Sequence, residues 1–157
     1  MDPKIEEKKV TTNKKILSKD FVSAIGRRKS STAQVRLYKK DAVWGRTEIH
    51  TGEIVVNNKP ALEYFGDIFE RVCRGPFQIT NTQNKFAVSI KLRGGGKVGQ
   101  LEAAVLGIAR GLDKIDREKY HSLLKAKGLL TRDARVRERR KVGMGGKSRR
   151  KKQSPKR

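Results

Sequence analysis

The sequence has one cysteine, Cys73, so it can build neither an internal disulfide framework nor a cysteine metal cluster. A lone cysteine fits a reducing compartment and reads as a small core hydrophobe. Histidine is equally scarce: His50 and His121 stand far apart, outside any metal or triad spacing, and read as surface residues. The 16 acidic residues show no paired arrangement within an apolar frame, the setting that general acid–base chemistry needs. Nothing in the chain reads as catalytic. No run approaches the roughly 20 apolar residues of a membrane span. The opening stretch, MDPKIEEKKVTTNKK, has no apolar core and so does not read as a secretory signal. It holds acids, no arginine and no amphipathic stripe, which argues against an organelle transit peptide as well.

What the sequence does have is positive charge. Its 157 residues carry 39 Lys+Arg against 16 Asp+Glu, a formal charge of +23. That excess exceeds what solubility needs and repels itself unless a polyanion neutralises it. Nucleic acid fits better than a bilayer surface, because the charge runs along the whole chain. The apolar fraction is 35%, low for a freestanding globule, so a core must be concentrated in the middle. The length predicts one domain with extensions.

Residues 1–20 are polar and mixed in charge, and are expected to form a disordered or loosely attached arm. The apolar content lies in residues 21–130, the expected globular domain. There Ala33, Val35 and Leu37 alternate with Gln34, Arg36 and Tyr38 as in a half-buried strand. AVW, TEI and EIVVN carry further strand signals, and Asn57-Asn58 predicts a turn. Pro60 is placed to open a helix, with Leu62, Phe65, Phe69 and Val72 at helical spacing and Gly66 weakening its middle. Gly75-Pro76 is expected to end that helix, FQIT and FAVSIKLRG to be strands, and NTQN to be the turn between them. After Gly94-Gly95-Gly96, Leu101, Val105, Ile108 and Leu112 mark a long helix, in which small Ala104 and Gly107 would permit close packing on a sheet. Asp116 is expected to cap a second helix that Gly128 ends. Strands, a helix, strands and two helices, in that order, predict an α+β fold: one sheet with helices on one face. Residues 131–157 form a tail with 13 Lys+Arg and 2 acids, 13 − 2 = +11, and too little apolar surface to fold alone.

Three basic clusters are candidate contacts to nucleic acid. GRRK (Arg27, Arg28, Lys29) puts three cations at the start of a strand, beside a glycine that lets backbone approach a partner. RGGGK, holding Arg93 and Lys97, lies between a strand and a helix, where glycine N–H groups and a helix N-terminus favour an anion. Val98 stands where a nucleotide-binding P-loop needs Ser or Thr, and no unit around Gly94, Gly96 and Gly99 supports a dinucleotide site. A phosphate of nucleic acid and a tight helix–strand turn are both compatible with the loop. In LLTRDARVRERRK, Arg132, Arg135, Arg137, Arg139 and Arg140 would surround a helix on every side, which suits a segment enclosed by RNA.

GRRKSSTAQVRLY, IVVNNKPALEYF, VSIKLRGGGKVGQLEAAVLGIARGL and GLLTRDARVRERRK, followed by a basic tail ending in Lys-Arg, resemble the bacterial form of the ribosomal protein S nine family. The resemblance runs in order over most of the chain. It implies a four-stranded sheet with helices on one side, a two-layer sandwich similar to the second domain of ribosomal protein S five. It also implies a place in the small-subunit head, on 16S ribosomal RNA and beside neighbouring head proteins, in the cytoplasm or on an organellar ribosome. Ribosomal RNA contacts would come from Arg27, Arg28, Lys29, Arg93, Lys97 and Arg110, and from Arg132, Arg135, Arg137, Arg139, Arg140, Lys141, Lys147, Arg149, Arg150, Lys151 and Lys152. The final Lys156 and Arg157 would reach the anticodon stem-loop of peptidyl-site transfer RNA. The resemblance implies no enzyme activity, cofactor, metal, membrane or small-molecule substrate. At the tip the chain departs from the family pattern: Ser154 and Pro155 replace the usual aromatic and serine. Without the resemblance, a module coating nucleic acid nonspecifically and an enzyme using RGGGK for a nucleotide phosphate are the alternatives.

Overall fold

The computed structural model describes residues 21–45 and 47–139, with the side chains of residues 68–70 excepted. Strands β1 (Phe21–Arg28) and β2 (Ser31–Tyr38) form a hairpin in full register, Phe21 opposite Tyr38 and Arg28 opposite Ser31, closed through Lys29 at φ 50°. Strands β3 (Ala42–Trp44) and β4 (Thr47–Ile49) form a second, small hairpin. Strand β5 (Ile54–Val56) turns back into β6 (Lys59–Pro60) through Asn57 and Asn58, at φ 48° and 67°. Two left-handed asparagines are what a tight hairpin turn selects, so the predicted turn is present. Helices α1 (Ala61–Phe65) and α2 (Asp67–Ile79) follow, then β7 (Ala87–Arg93), α3 (Lys97–Ile115) and α4 (Arg117–Ala126).

The main sheet has the order β1-β2-β7-β5-β6 and is mixed: β5 runs parallel to β7, and the other pairs are antiparallel. Among the described residues it therefore has five strands, of which β6 spans only 2 residues. The Asn57 side chain extends the β5–β7 ladder, accepting from Leu92 N at 2.9 Å and donating to Leu92 O at 3.3 Å.

Two expectations fail between residues 60 and 80. Gly75-Pro76 does not end a helix, and FQIT is not a strand: Gly75 to Ile79 lie inside α2 and Thr80 is its C-cap. A proline within a helix forfeits one backbone bond and costs about 3 kcal/mol. Against that, Cys73 and Phe77 lie one turn apart on the same side, and both are buried in the main core. A segment as short as FQIT fits strand and helix alike, and here packing decides. Gly66, at φ 83° and ψ 170°, does more than weaken the earlier segment: it separates α1 from α2. Pro60 lies one residue before the first helical position, within β6.

Helix α3 lies against β1, β2 and β7, and α2 and α4 pack on it in turn. Leu101, Ile108 and Leu112 are buried as expected, but so are Ala103, Ala104, Leu106 and Ala109, because α3 has neighbours on several sides. Small residues make the approach close. A Cβ on Gly26 would overlap the Ala103 carbonyl and stand 2.5 Å from Gly107 N; one on Gly107 would stand 2.6 Å from Val35 Cγ2, and one on Gly111 2.5 Å from Leu37 Cδ1. Asp116 accepts from Lys119 N at 3.2 Å, and Gly128, at φ 70°, follows the end of α4, as the sequence predicts. Leu129 and Leu130 fold back onto the core. On the opposite face of the sheet Tyr38, Ile49, Val55 and Ala87 form a smaller cluster with Trp44, so the β3–β4 hairpin covers one end of that face.

Candidate nucleic-acid interface

Pairing of β2 with β7 sets Arg93 opposite Thr32, which puts the β1–β2 turn beside the glycine turn that follows β7. Gly94 and Gly95 take φ 71° and 68°, in the left-handed region. A Cβ on Gly94 would stand 2.6 Å from the Ser30 carbonyl oxygen, and one on Gly95 would overlap Ser31 Oγ. These glycines thus serve both turn geometry and close approach. Gln100 braces the loop, donating to Gly94 O at 3.1 Å and accepting from the Tyr64 hydroxyl at 3.0 Å.

Helix α3 begins immediately after this loop. Gly96 occupies its N-cap, no side chain caps it, and its first turn holds no acid. The N-terminus of a helix is its positive end, where acids are favoured and cations are not. Here Lys97 is the first helical residue, and Arg27, Lys29 and Arg93 stand exposed on the adjoining strand ends. None of these four cations pairs with a carboxylate among the described residues. Segments more than 60 residues apart in sequence, GRRK and RGGGK, therefore form one cationic end.

The tail starts at the same place. Arg28 is 9% exposed and turned inward, away from Arg27 and Lys29. Its Nε donates to Glu102 on α3, its Nη2 lies 2.9 Å from Asp133, and its Nη1 donates to the Arg135 carbonyl at 3.0 Å. Arg135 also wraps Asp133: Nη2 donates at 2.7 Å, Nε at 3.1 Å, and its backbone N–H at 2.9 Å. The Arg135 side chain and backbone N–H, with the charge of Arg28 behind them, hold the Asp133 carboxyl far below the usual carboxylate range. A body arginine and a tail aspartate thus tie residues 133–135 to the hairpin.

Residues 131–139 form neither helix nor strand. Asp133 is drawn back to Arg28 and Arg135, while Arg132, Arg135, Arg137 and Arg139 project as exposed side chains along an irregular chain. Arg110 has a structural partner: its Nη1 donates to Ile25 O at 3.0 Å, and Lys114 Nζ likewise meets Ser23 O at 3.0 Å. Both occupy carbonyls on the free edge of β1, a device that blunts an edge strand. The expected contacts Arg140, Lys141, Lys147, Arg149, Arg150, Lys151, Lys152, Lys156 and Arg157 lie outside the described residues, as does the arm of residues 1–20.

The histidines and the cysteine lie apart from this end. His50 pairs with Asp41 at 3.2 Å, His121 with Asp113 at 2.8 Å, and Cys73 is buried. Among the described residues no group of His, Cys, Asp and Glu is arranged to hold a metal, and no helix is long and apolar enough to cross a membrane.

Residues 26–157 match the sequence profile of the family described as ribosomal protein S9/S16. The small ribosomal subunit protein uS9 of Maridesulfovibrio salexigens is 43% identical over 131 residues, covering 83% of this chain and 92% of that protein. Its counterpart in Dehalococcoides mccartyi is 42% identical over 125 residues, covering 79% and 86%. The chain belongs to the ribosomal protein S9/S16 family. That family is a structural, non-enzymatic class, so the alternative of a nucleotide-using enzyme falls. Gly94 and Gly95 of RGGGK answer instead to the approach of Ser30 and Ser31.

Sequence reasoning named Arg27, Lys29, Arg93 and Lys97 as two separate clusters; the structure joins them. It missed Glu102 and the anchoring role of Asp133. The available signal was an acid set two residues before Arg135 in a segment otherwise built of cations.

Proposed function

We propose that the chain is a structural constituent of the small ribosomal subunit, in its head, binding 16S ribosomal RNA with this cationic end and passing its tail onward through RNA. The observation that carries the proposal is that Arg27, Lys29, Arg93 and Lys97 share the end of the body where α3 begins without an acid in its first turn, with the tail tied on beside them by Arg28 and Asp133. Four cations at one end of the body, none paired with a carboxylate among the described residues, raise the local positive potential, and the phosphates of a nucleic acid bound along that end lower it. Arg132, Arg137 and Arg139, and the cations from Arg140 to Lys152, continue the same contact along the tail, which orders on RNA rather than on a core of its own. Arg28 and Arg110 support the surface from within.

Lys156 and Arg157, the last two residues, are proposed to reach the anticodon stem-loop of transfer RNA in the peptidyl site. The ribosome concerned is that of the cytoplasm, the neighbouring proteins are those of the head, and the body is of the two-layer type of the second domain of ribosomal protein S five. The support is family membership together with the two terminal cations. Deleting residues 156–157 tests the assignment: subunits should assemble at normal occupancy and bind peptidyl-site transfer RNA more weakly. Blocked assembly with unchanged transfer RNA affinity would refute it.

A further inference from the structure

Among the described residues, the face of the sheet turned away from the helices is covered at one end by the β3–β4 hairpin. Towards the other end Ile25, Arg27, Gln34, Lys91 and Arg93 are exposed, while Ser89 is buried. The register sets the side chains of this face in rows: Arg27, Thr32 and Arg93 beside the glycine turn; then Ile25, Gln34 and Lys91; then Ser23, Arg36 and Ser89. Successive rows are about 6.7 Å apart and neighbouring strands about 4.8 Å apart. Arg27, Lys91 and Arg93 are exposed. Arg36 is half-buried, its guanidinium held 4.9 Å from the centre of the Phe21 ring. These four cations frame Gln34 and Ile25, and Ile25 is 49% exposed.

Strands β1, β2 and β7 contain no aspartate or glutamate. An ordinary solvated sheet face interleaves both signs; like charges opposite one another destabilise a sheet. None of the four cations pairs with a carboxylate among the described residues.

We infer that this open face is a second RNA-binding surface, on which a single RNA strand runs from the glycine turn towards the β3–β4 hairpin. Its backbone lies on Arg27, Arg93, Lys91 and Arg36, and Ile25 and Gln34 lie beneath the bases. The inference rests on the proposed function, since the face continues the cationic end through Arg27 and Arg93. An acidic protein partner fits less well. Protein interfaces centre on apolar and aromatic side chains, whereas Ile25 is the one apolar side chain exposed in the three open rows.

The test uses the full-length chain and a transcript of the small-subunit ribosomal RNA, with affinity measured over a series of salt concentrations. Neutralising two contacts in the Arg36→Gln, Lys91→Gln variant should lower the slope of log affinity against log salt by about 1.4–1.8, and affinity on the order of tenfold near physiological salt. Gln34→Glu should weaken binding and Gln34→Lys should not, although neither touches the core. In reconstituted subunits, Lys91 should be protected from acetylation. If the unaltered chain binds while all these variants match it, the face carries no RNA and the inference fails, with the proposed function intact. If the unaltered chain does not bind the RNA, the proposed function itself fails. If the variants bind RNA normally but enter subunits poorly, the face belongs to a protein, which also overturns the inference.

Discussion

Arg27 and Arg28 are neighbours in sequence and belong to two regions governed by different rules. Arg28 points to the helix-covered side, where each guanidinium nitrogen has a partner in Glu102, Asp133 or Arg135. Arg27 lies on the open side, exposed and with no carboxylate partner among the described residues. The covered side is built largely from small and apolar residues, and at Gly26, Gly107 and Gly111 it has no room for a Cβ. The open side and the tail are built from charges that stabilise little by themselves. Stability and RNA binding are therefore separable, and variants should divide cleanly between them.

The largest effect should come from the covered side. Gly26→Ala places a methyl group on the backbone of α3, and overpacking of this kind costs ~3 kcal/mol or more. Chemical denaturation should show a large loss of stability or no folded protein. A shift below about 0.5 kcal/mol would mean that α3 does not approach β1 so closely. Leu37→Ala, in the same core, should cost about 2–4 kcal/mol by the same measurement.

An intermediate effect should come from the joint between the regions. Arg28→Met keeps the bulk of the stem but removes the bonds to Glu102, Asp133 and the Arg135 carbonyl. Hydrogen exchange at residues 133–135 should then speed up sharply, with a smaller change in the sheet. The sign of the pH dependence follows from Asp133, whose pKa is lowered on folding. Its contribution is present above the ordinary carboxylate value and is lost only as pH falls through the lowered one. Exchange at residues 133–135 should therefore stay slow from neutral pH down through the usual carboxylate range.

On the tail the division should reverse. Replacing Arg132, Arg137 and Arg139 by Gln should move stability by no more than about 0.5 kcal/mol, yet lower the salt slope of RNA binding by about 2–3. The smallest effect belongs to His50. Asp41, by hydrogen bond first and charge second, raises its pKa above the ordinary 6.5. The contact is complete below that value and fades as pH rises through the raised one. An NMR titration should show this, and Asp41→Asn should bring the midpoint back down.

The α+β class, the β2 and β7 strands, the asparagine turn, the caps of α4 and the small-residue face of α3 were legible in the sequence, because each rests on a local pattern. The path of residues 74–80 was not. Gly75-Pro76 punctuates strongly, and only the burial of Cys73 and Phe77 on one side explains why the helix continues. At the candidate site, residue types were legible and their grouping was not. That Arg28 faces inward while Arg27 and Lys29 face outward depends on strand parity and on an anchor, Asp133, 105 positions away. The open face was half legible: the alternation in β2 already set Gln34 and Arg36 opposite the core.

The most direct test of the central claim, that this charge serves the small ribosomal subunit, is sedimentation of the tagged chain in its own cells before and after a high-salt wash. The account predicts a peak at the small subunit, one copy per particle, that survives the wash. A chain spread over all cellular RNA and stripped by salt would contradict it.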